Sequence, residues 1–420
     1  MPAIPIILST ISVLIWLYLT LGRGTFWHLS SFDDDPSTHA APSTWPAIVA
    51  IVPARNEAET ISQTLTALLQ QNYPGKFSIL VIDDHSEDET SNIAQQIAKQ
   101  PSSAQSRITI HLASPLPAGW TGKLWALNEG VSLSAAVPAY PTSVTSKELP
   151  SPSEQVCFPR QTSQQPGQIA PAFFWFTDAD IIHAPDTLRR LVARAEQNHL
   201  DLTSLMVLLR ARSLPERALI PAFLFFFLKL YPPRWIADPK SNTAGAAGGC
   251  ILLRREALTR IGGLTAIRSE VIDDCALARA IKHNGGKIWM GLTHASVSQR
   301  AYVTFAEIRD LIARTAFTQL RYSTTLLLGT LAGLFVTYLA PVALLLAQSY
   351  ATRVLALTAW LLMSLTFLPT IRFYRLSLRW MPLLPLAALF YAYATSLSAI
   401  RYWLNRGALW KGRTQTRRQV

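Results

Sequence analysis

The stretch Phe173–Ile182, FFWFTDADII, limits the possible folds more than any other part of the chain. Phe173-Phe174-Trp175-Phe176 is a continuous run of large apolar side chains and predicts a strand covered on both faces. Such strands belong to sheets flanked by helices on both sides. The run ends in Thr177-Asp178-Ala179-Asp180, and two carboxylates at the end of a buried strand are costly unless something neutralises them. A divalent cation such as Mg²⁺ or Mn²⁺ suits an Asp-x-Asp pair and usually shares its sphere with substrate phosphates. Solvated acids at an ordinary strand-to-loop transition are the other reading, and this stretch does not choose between them.

Upstream the same pattern recurs. Ala47–Val52 predicts a short strand followed by the polar turn Pro53–Glu57. Glu57–Asn72 has the helical spacing Ile61, Leu65, Leu68 and Leu69, and Tyr73-Pro74-Gly75 stops it. Phe77–Ile82 predicts a second strand that ends in Asp83-Asp84-His85-Ser86. A helix over Asp88–Gln100 and a strand over Ile108–Leu112 follow. Strands alternating with helices of this length predict an α/β domain with a mainly parallel sheet. Ligands of such sheets bind at the carboxyl ends of the strands. The turns at Arg55, at Asp83-Asp84 and at Asp178–Asp180 all fall there. In Pro115–Asn128, PLPAGWTGKLWALN, Lys123 stands just inside a helix start. With the helix N–H groups it suits a phosphate, or it is a plain exposed lysine on a turn.

The second half adds acids and basic helices. Pro185–Gln197 predicts a helix and Leu202–Leu209 a strand. Ala244–Cys250, AGAAGGC, permits close backbone approach. Asp273 and Asp274 open a helix, where the helix dipole favours them; the functional reading makes one of them a general base. Lys287–Met290 and Ala295–Ser298 predict two short strands. Phe305–Tyr322 predicts one basic amphipathic helix suited to a membrane surface.

The chain is 50% hydrophobic and 15% charged, with mean hydropathy +0.21 over 420 residues. That is too apolar for an ordinary soluble protein. Ile4–Leu21 is an uncharged apolar run followed by Arg23, which predicts an uncleaved membrane anchor with its C-terminal side in the cytoplasm. Thr325–Ala347, Val354–Thr370 and Pro382–Ile400 are long enough to span, whereas Ala218–Tyr231 is shorter and suits an interfacial or re-entrant position. The net charge of +12 fits Lys/Arg beside cytoplasmic lipid, and no nucleic-acid motif accompanies it. Three spans after a cytoplasmic domain would carry the basic tail outside, against the positive-inside rule. Either one apolar segment does not cross or Ala218–Tyr231 alters the count; a cytoplasmic tail with a re-entrant or interfacial segment is expected. Cys157, Cys250 and Cys275 lack the spacing of a metal site or a disulfide framework and read as packing residues in a reducing compartment.

Four ordered motifs carry a family resemblance. They are VPARNEAETI at Val52–Ile61 with QNYP at Gln71–Pro74, VIDDHSEDET at Val81–Thr90, TDAD at Thr177–Asp180, and VIDDCALARAIKHNGG at Val271–Gly286. The chain thereby resembles the processive-type and lipid-modifying family 2 glycosyltransferases, whose GT-A-type nucleotide-sugar domain is held by membrane helices. The Pro115–Asn128 loop is similar to that of hopanoid-associated glycosyltransferases and of certain carotenoid glycosyltransferases. TQLRYS at Thr318–Ser323 departs from the family's Gln-x-x-Arg-Trp motif at Thr318 and Tyr322, and matches it at Arg321.

The resemblance implies an organisation: an anchor over 1–22, a linker over 23–46, and a catalytic domain over 47–300 with a flexible insertion at 134–168. An interfacial helix over 301–324, membrane helices over 325–404 and a basic tail over 405–420 complete it. It also implies an inverting transfer of sugar from a UDP-sugar donor to a membrane lipid, with a hopanoid as the leading acceptor. Carotenoid, polyprenyl phosphate or ceramide-like acceptors, and an inactive nucleotide-sugar-binding scaffold, are the alternatives. The implied roles are Asp84 with Arg55 and Glu57 on the uridine part, Asp178 and Asp180 on a divalent metal, Lys123 and Arg321 on the phosphates, and Asp274 as catalytic base. The implied location is a bacterial inner membrane, with the catalytic domain facing the cytoplasm.

Overall fold

The Phe173–Phe176 run lies at the centre of an eight-stranded sheet in the computed structural model, which describes residues 3–35, 41–100, 107–134, 170–404, 409–410 and 413–414. The proposed insertion, apart from Ser134, and most of the basic tail therefore lie outside the described residues. The strands are β1 (Ile48–Ala54), β2 (Phe77–Asp83), β3 (Ile108–Leu112), β4 (Phe173–Thr177), β5 (Ile181–His183), β6 (Leu202–Leu208), β7 (Cys250–Arg254) and β8 (Ile288–Ser298). Their order is β3-β2-β1-β4-β7-β6-β8-β5. β1 pairs in parallel with β2 and β4, β2 with β3, and β6 with β8, while β7 and β5 run against their neighbours. Lys287–Met290 and Ala295–Ser298 are thus parts of one long strand rather than two short ones.

Alternation along the strands divides the apolar residues between two cores. Phe173 and Trp175 join Ile48, Ala50 and Val52 on one face, against Leu65 and Leu188 of the covering helices. Phe174 and Phe176 join Ile51 on the other, against Leu124, Leu127 and Phe225. Each of these large side chains, fully buried, contributes about 1.5–3 kcal/mol. Because β7 is reversed, its amino end lies on the same rim as the carboxyl ends of β1, β2, β4, β6 and β8. The small-residue segment Ala244–Gly249 is thereby delivered to that rim.

The second core continues into apolar helices. Among the described residues four are long and apolar enough to cross a membrane: Ala3–Leu21, Thr324–Leu346, Tyr350–Phe373 and Leu378–Trp403. The helix Leu214–Leu230 is wedged between them and the sheet. Its Phe225 packs edge-on against Phe26 and Phe367, and its Phe226 against Tyr338 and Tyr391. It is a buried spacer more than a surface element. The helix expected over Phe305–Tyr322 is broken: Phe305–Ala313 ends at Arg314, and a short turn over Ala316–Gln319 follows. Two consecutive left-handed residues, Arg321 (φ 52°) and Tyr322 (φ 57°), prevent continuation.

Contacts at both ends of the last apolar stretch hold it on the sheet side. Just before its start, at the end of the Tyr350–Phe373 helix, His294 of β8 stacks on Phe373, and His294 Nε2 lies 2.9 Å from the Phe373 carbonyl oxygen. At its end, Ser398 Oγ accepts the Phe317 N–H at 3.1 Å and Arg401 pairs with Asp310 at 2.7 Å. Both ends of the stretch between these contacts thus meet elements that pack beside the sheet. In a Cys157→Ser background, single cysteines at Arg375 and Leu404 are expected to label from the same membrane side as one at Gln96, and one at Ser349 from the opposite side. Labelling of Leu404→Cys only from the Ser349 side would show a full crossing.

Candidate active site at the carboxyl edge of the sheet

Arg55, at the end of β1, ties the first two turns of the rim together. Its Nη1 donates to the carbonyls of Asp84 and His85 at 2.5 and 2.8 Å, and its Nη2 reaches Glu87 at 3.1 Å. The turns lock further through Asn56 N–H donating to Ser86 Oγ and Glu87 N–H donating to Asn56 Oδ1. Asp84 is fully buried beneath this knot.

The acids of β4 meet cations from other elements. Asp178 Oδ1 lies 2.6 Å from Lys123 Nζ, at the start of the Gly122–Ser134 helix. The same ammonium lies 3.7 Å from Asp273 at the start of the helix Asp273–His283. Burial disfavours the Lys123 charge, but Asp178 and Asp273 outweigh it and hold the group above the ordinary lysine range. Asp180 Oδ2 accepts from Ser298 Oγ at 3.1 Å and lies 3.4 Å from Arg300 Nε, while Arg300 Nη2 reaches Glu57 at 2.8 Å. Burial and the neighbouring Asp178 charge raise the Asp180 carboxyl above the usual range, against the pull of Arg300.

Asp274 is held by backbone. Its Oδ2 accepts the Gly248 N–H at 2.8 Å and its Oδ1 the Cys275 N–H at 2.7 Å. Ser204 fixes that donor: its Oγ donates to the Ala247 carbonyl at 3.1 Å and accepts the Ala247 N–H at 2.8 Å. A Cβ on Gly248 would stand 3.2 Å from Asp274 Oδ2 and 3.3 Å from Lys123 Nζ. The small-residue segment thus lets backbone approach the two side chains. Burial, and after it the charge of Asp273, push the Asp274 carboxyl up to about 6, while Lys123 and the two N–H donors oppose that rise. A carboxyl poised there can accept a proton near neutral pH.

A cavity of about 260 Å³ brings Glu57, Lys123, Asp178, Asp180 and Asp274 together. Phe223 and Phe227 of the Leu214–Leu230 helix and Leu311 also line it. Arg55 and Asp84 stand on the adjoining turns and do not line it. Arg321 lines a different cavity, beyond Glu270 and Val271. The sequence reading passed over Arg300, Tyr302 and Arg314, which line the first cavity. Arg300 follows the end of β8 at Ser298, where the expected strand Ala295–Ser298 also ended, but a lone arginine with no motif around it gives no local signal of a role. Among the described residues no group of three or more His, Cys, Asp or Glu could hold a metal ion. Asp178 and Asp180 offer the hard oxygen atoms that Mg²⁺ or Mn²⁺ takes, and substrate phosphate and water would have to complete the sphere.

The family model described as glycosyltransferase like family 2 matches residues 46–318. A probable glycosyltransferase YdaM of Bacillus subtilis is 32% identical over 125 residues, which is 29% of each chain. Glycosyltransferase AglE of Haloferax volcanii is 44% identical over 57 residues, 13% of this chain and 19% of that one. These alignments span less than a third of either relative's length. Among solved structures, the mannosyltransferase PcManGT of Pyrobaculum calidifontis, in complex with GDP-Man and Mn²⁺, superposes with a TM-score of 0.53 at 18% identity. That likeness covers 93% of this chain and 99% of that one, and shows a shared fold.

Replacing Lys123 leaves Asp178, Asp273 and Asp274 without their common counter-charge. Lys123→Met is expected to cost about 3 kcal/mol at pH 8. The cost falls toward pH 5, where the raised Asp274 carboxyl takes up a proton and the repulsion weakens. Thermal melts of both proteins at the two pH values check this; an equal loss at both would assign Lys123 a packing role instead.

Proposed function

The chain belongs to glycosyltransferase like family 2, and from that premise we propose that it transfers a sugar, with inversion, from a nucleotide-sugar donor to a lipid acceptor at the membrane. The observation that carries the lipid reading is the mixed lining of the cavity. Carboxylates and Lys123 share it with Phe223, Phe227 and Leu311. Phe223 and Phe227 pack against the core that continues into the apolar helices. A lipid hydroxyl can reach the acids from there while its hydrocarbon part stays out of water. A hopanoid is the acceptor that the Pro115–Asn128 loop resemblance favours.

In this reading Asp84, Arg55 and Glu57 bind the uridine end of a UDP-sugar. The diphosphate meets the cations at the other end of the site, Lys123 and Arg314; Arg321, to which the family motif would give the same role, lines the neighbouring cavity instead. Asp178 and Asp180 hold a Mg²⁺ or Mn²⁺, which would supply charge stabilisation to the departing diphosphate; the GDP-Man and Mn²⁺ of the archaeal mannosyltransferase give this a precedent on the same fold. Asp274 accepts the proton of the acceptor hydroxyl as its oxygen bonds to the anomeric carbon. The carbon–oxygen bond to the diphosphate breaks, and the diphosphate leaves with that electron pair. A single displacement of this kind inverts the anomeric centre. The catalytic domain is assigned to the cytoplasmic face of a bacterial inner membrane, the side that the positive-inside rule favours for Arg401.

Incubating membranes that contain the protein with a panel of labelled sugar nucleotides, followed by lipid extraction, tests the reading. Asp274→Asn is expected to lower transfer by about 10²–10⁴-fold with nucleotide binding retained. For the wild type, kcat/KM should fall about tenfold per pH unit below an acid limb near 6, where Asp274 becomes protonated. Phe227→Ser should raise KM for the lipid and leave that for the donor unchanged. Metal-dependent nucleotide binding without transfer from any donor would favour a scaffold.

A further inference from the structure

A second cavity, of about 370 Å³, lies across Glu270 and Val271 from the first, and both cavities have these two residues in their walls. One face of the Asp273–His283 helix presents Asp274 to the first cavity. Another presents Cys275, Ala276 and Arg279 to the second. The facing wall carries Gln319, Arg321 and Tyr322.

Arg279 and Arg321 are both exposed, and among the described residues neither forms an ion pair. By contrast, Arg55, Arg254, Arg300 and Arg401 each have a carboxylate partner. Glu270 is the one acid lining this cavity, so cationic charge is in excess there. Neutral hydrogen-bonding groups complete the lining: Tyr231 OH and Gln319 bond to each other within 3.1 Å.

The backbone holding Arg321 is unusual. Arg321 and Tyr322 are successive left-handed residues, a conformation costly for side chains of this size. Tyr322 N–H donating to Phe317 O at 3.0 Å and the stacking of Tyr322 on Tyr402 hold it there. Ser323 next caps the apolar helix that begins at Thr324, so the cavity borders the start of a membrane-crossing stretch.

We propose that this second cavity binds a phosphate group, held between Arg279 and Arg321, at the membrane face and separately from the nucleotide site. Guanidinium groups match phosphate oxygens in bidentate geometry. Gln319 and Tyr231 add neutral donors, and Val271 and Ile272 can cover a lipid stem. The position beside a membrane helix favours the phosphate of an anionic lipid headgroup; free phosphate offers the same chemistry. This site does not depend on the donor reading, because nucleotide binding is measured independently of it.

Calorimetry on the full chain purified in detergent tests the proposal, with dihexanoyl phosphatidic acid as probe and dihexanoylglycerol and inorganic phosphate beside it. The phosphatidic acid is expected to bind and the neutral lipid not to. Arg279→Ala and Arg321→Ala should each weaken binding about tenfold or more, with UDP binding intact. Arg279→Glu, at an exposed helix position, should abolish binding and leave the melting temperature near that of the wild type. Inorganic phosphate binding as tightly as the lipid would keep the site and assign it a soluble ligand. Absence of binding by either phosphate, insensitivity to Arg279→Glu, or displacement by UDP would overturn the proposal.

Discussion

The Lys123 ammonium is the counter-charge on which the rim depends. Asp178 comes from the end of β4, and Asp273 and Asp274 from a helix start nearly a hundred residues further along. Held together in a partly dry cavity, these carboxylates repel one another, and without a cation one or more would take up a proton. Lys123 pairs with Asp178 and lies 3.7 Å from Asp273, while burial and the charge of Asp273 keep Asp274 raised to about 6 against its pull. Ser204 and Gly248 add the geometric half of the arrangement by aiming an N–H at Asp274.

The sheet positions these groups because its two faces have different neighbours. One face is closed by ordinary amphipathic helices around Leu65 and Leu188. The other is covered by the Leu214–Leu230 helix, which also packs on Phe26, Phe367 and Tyr391 of or beside the membrane-type helices. Phe223 and Phe227 of that helix reach the acidic cavity. The helix therefore joins the apolar layer to the reaction site, and its Pro221 and its length shorter than a span fit a spacer of this kind better than a crossing.

Local pattern made much of this legible. The unbroken apolar run at Phe173–Phe176 marked the central strand, and the polar turns after successive strands marked the rim before any tertiary contact was known. The breaks came where local pattern is silent. Nothing in Phe305–Tyr322 announces the departure from helical geometry at Thr315 (φ −122°, ψ −13°), so the periodicity predicts one helix where there are two pieces. Arg300 stands two residues past the expected strand end at Ser298, but a lone arginine there carries no local signal of the acids it meets, Glu57 and Asp180. That Arg321 and Arg279 share a cavity apart from Asp178 is a tertiary fact with no counterpart in spacing.

The anomeric configuration of the lipid product tests the site assignment most directly. A single carboxylate acting as base, with the donor carbon attacked once, requires a product inverted relative to the nucleotide-sugar, as proton NMR coupling constants at the anomeric centre would show. A retained configuration would mean two displacements or a different geometry, and would remove Asp274 from the role of base in a direct transfer.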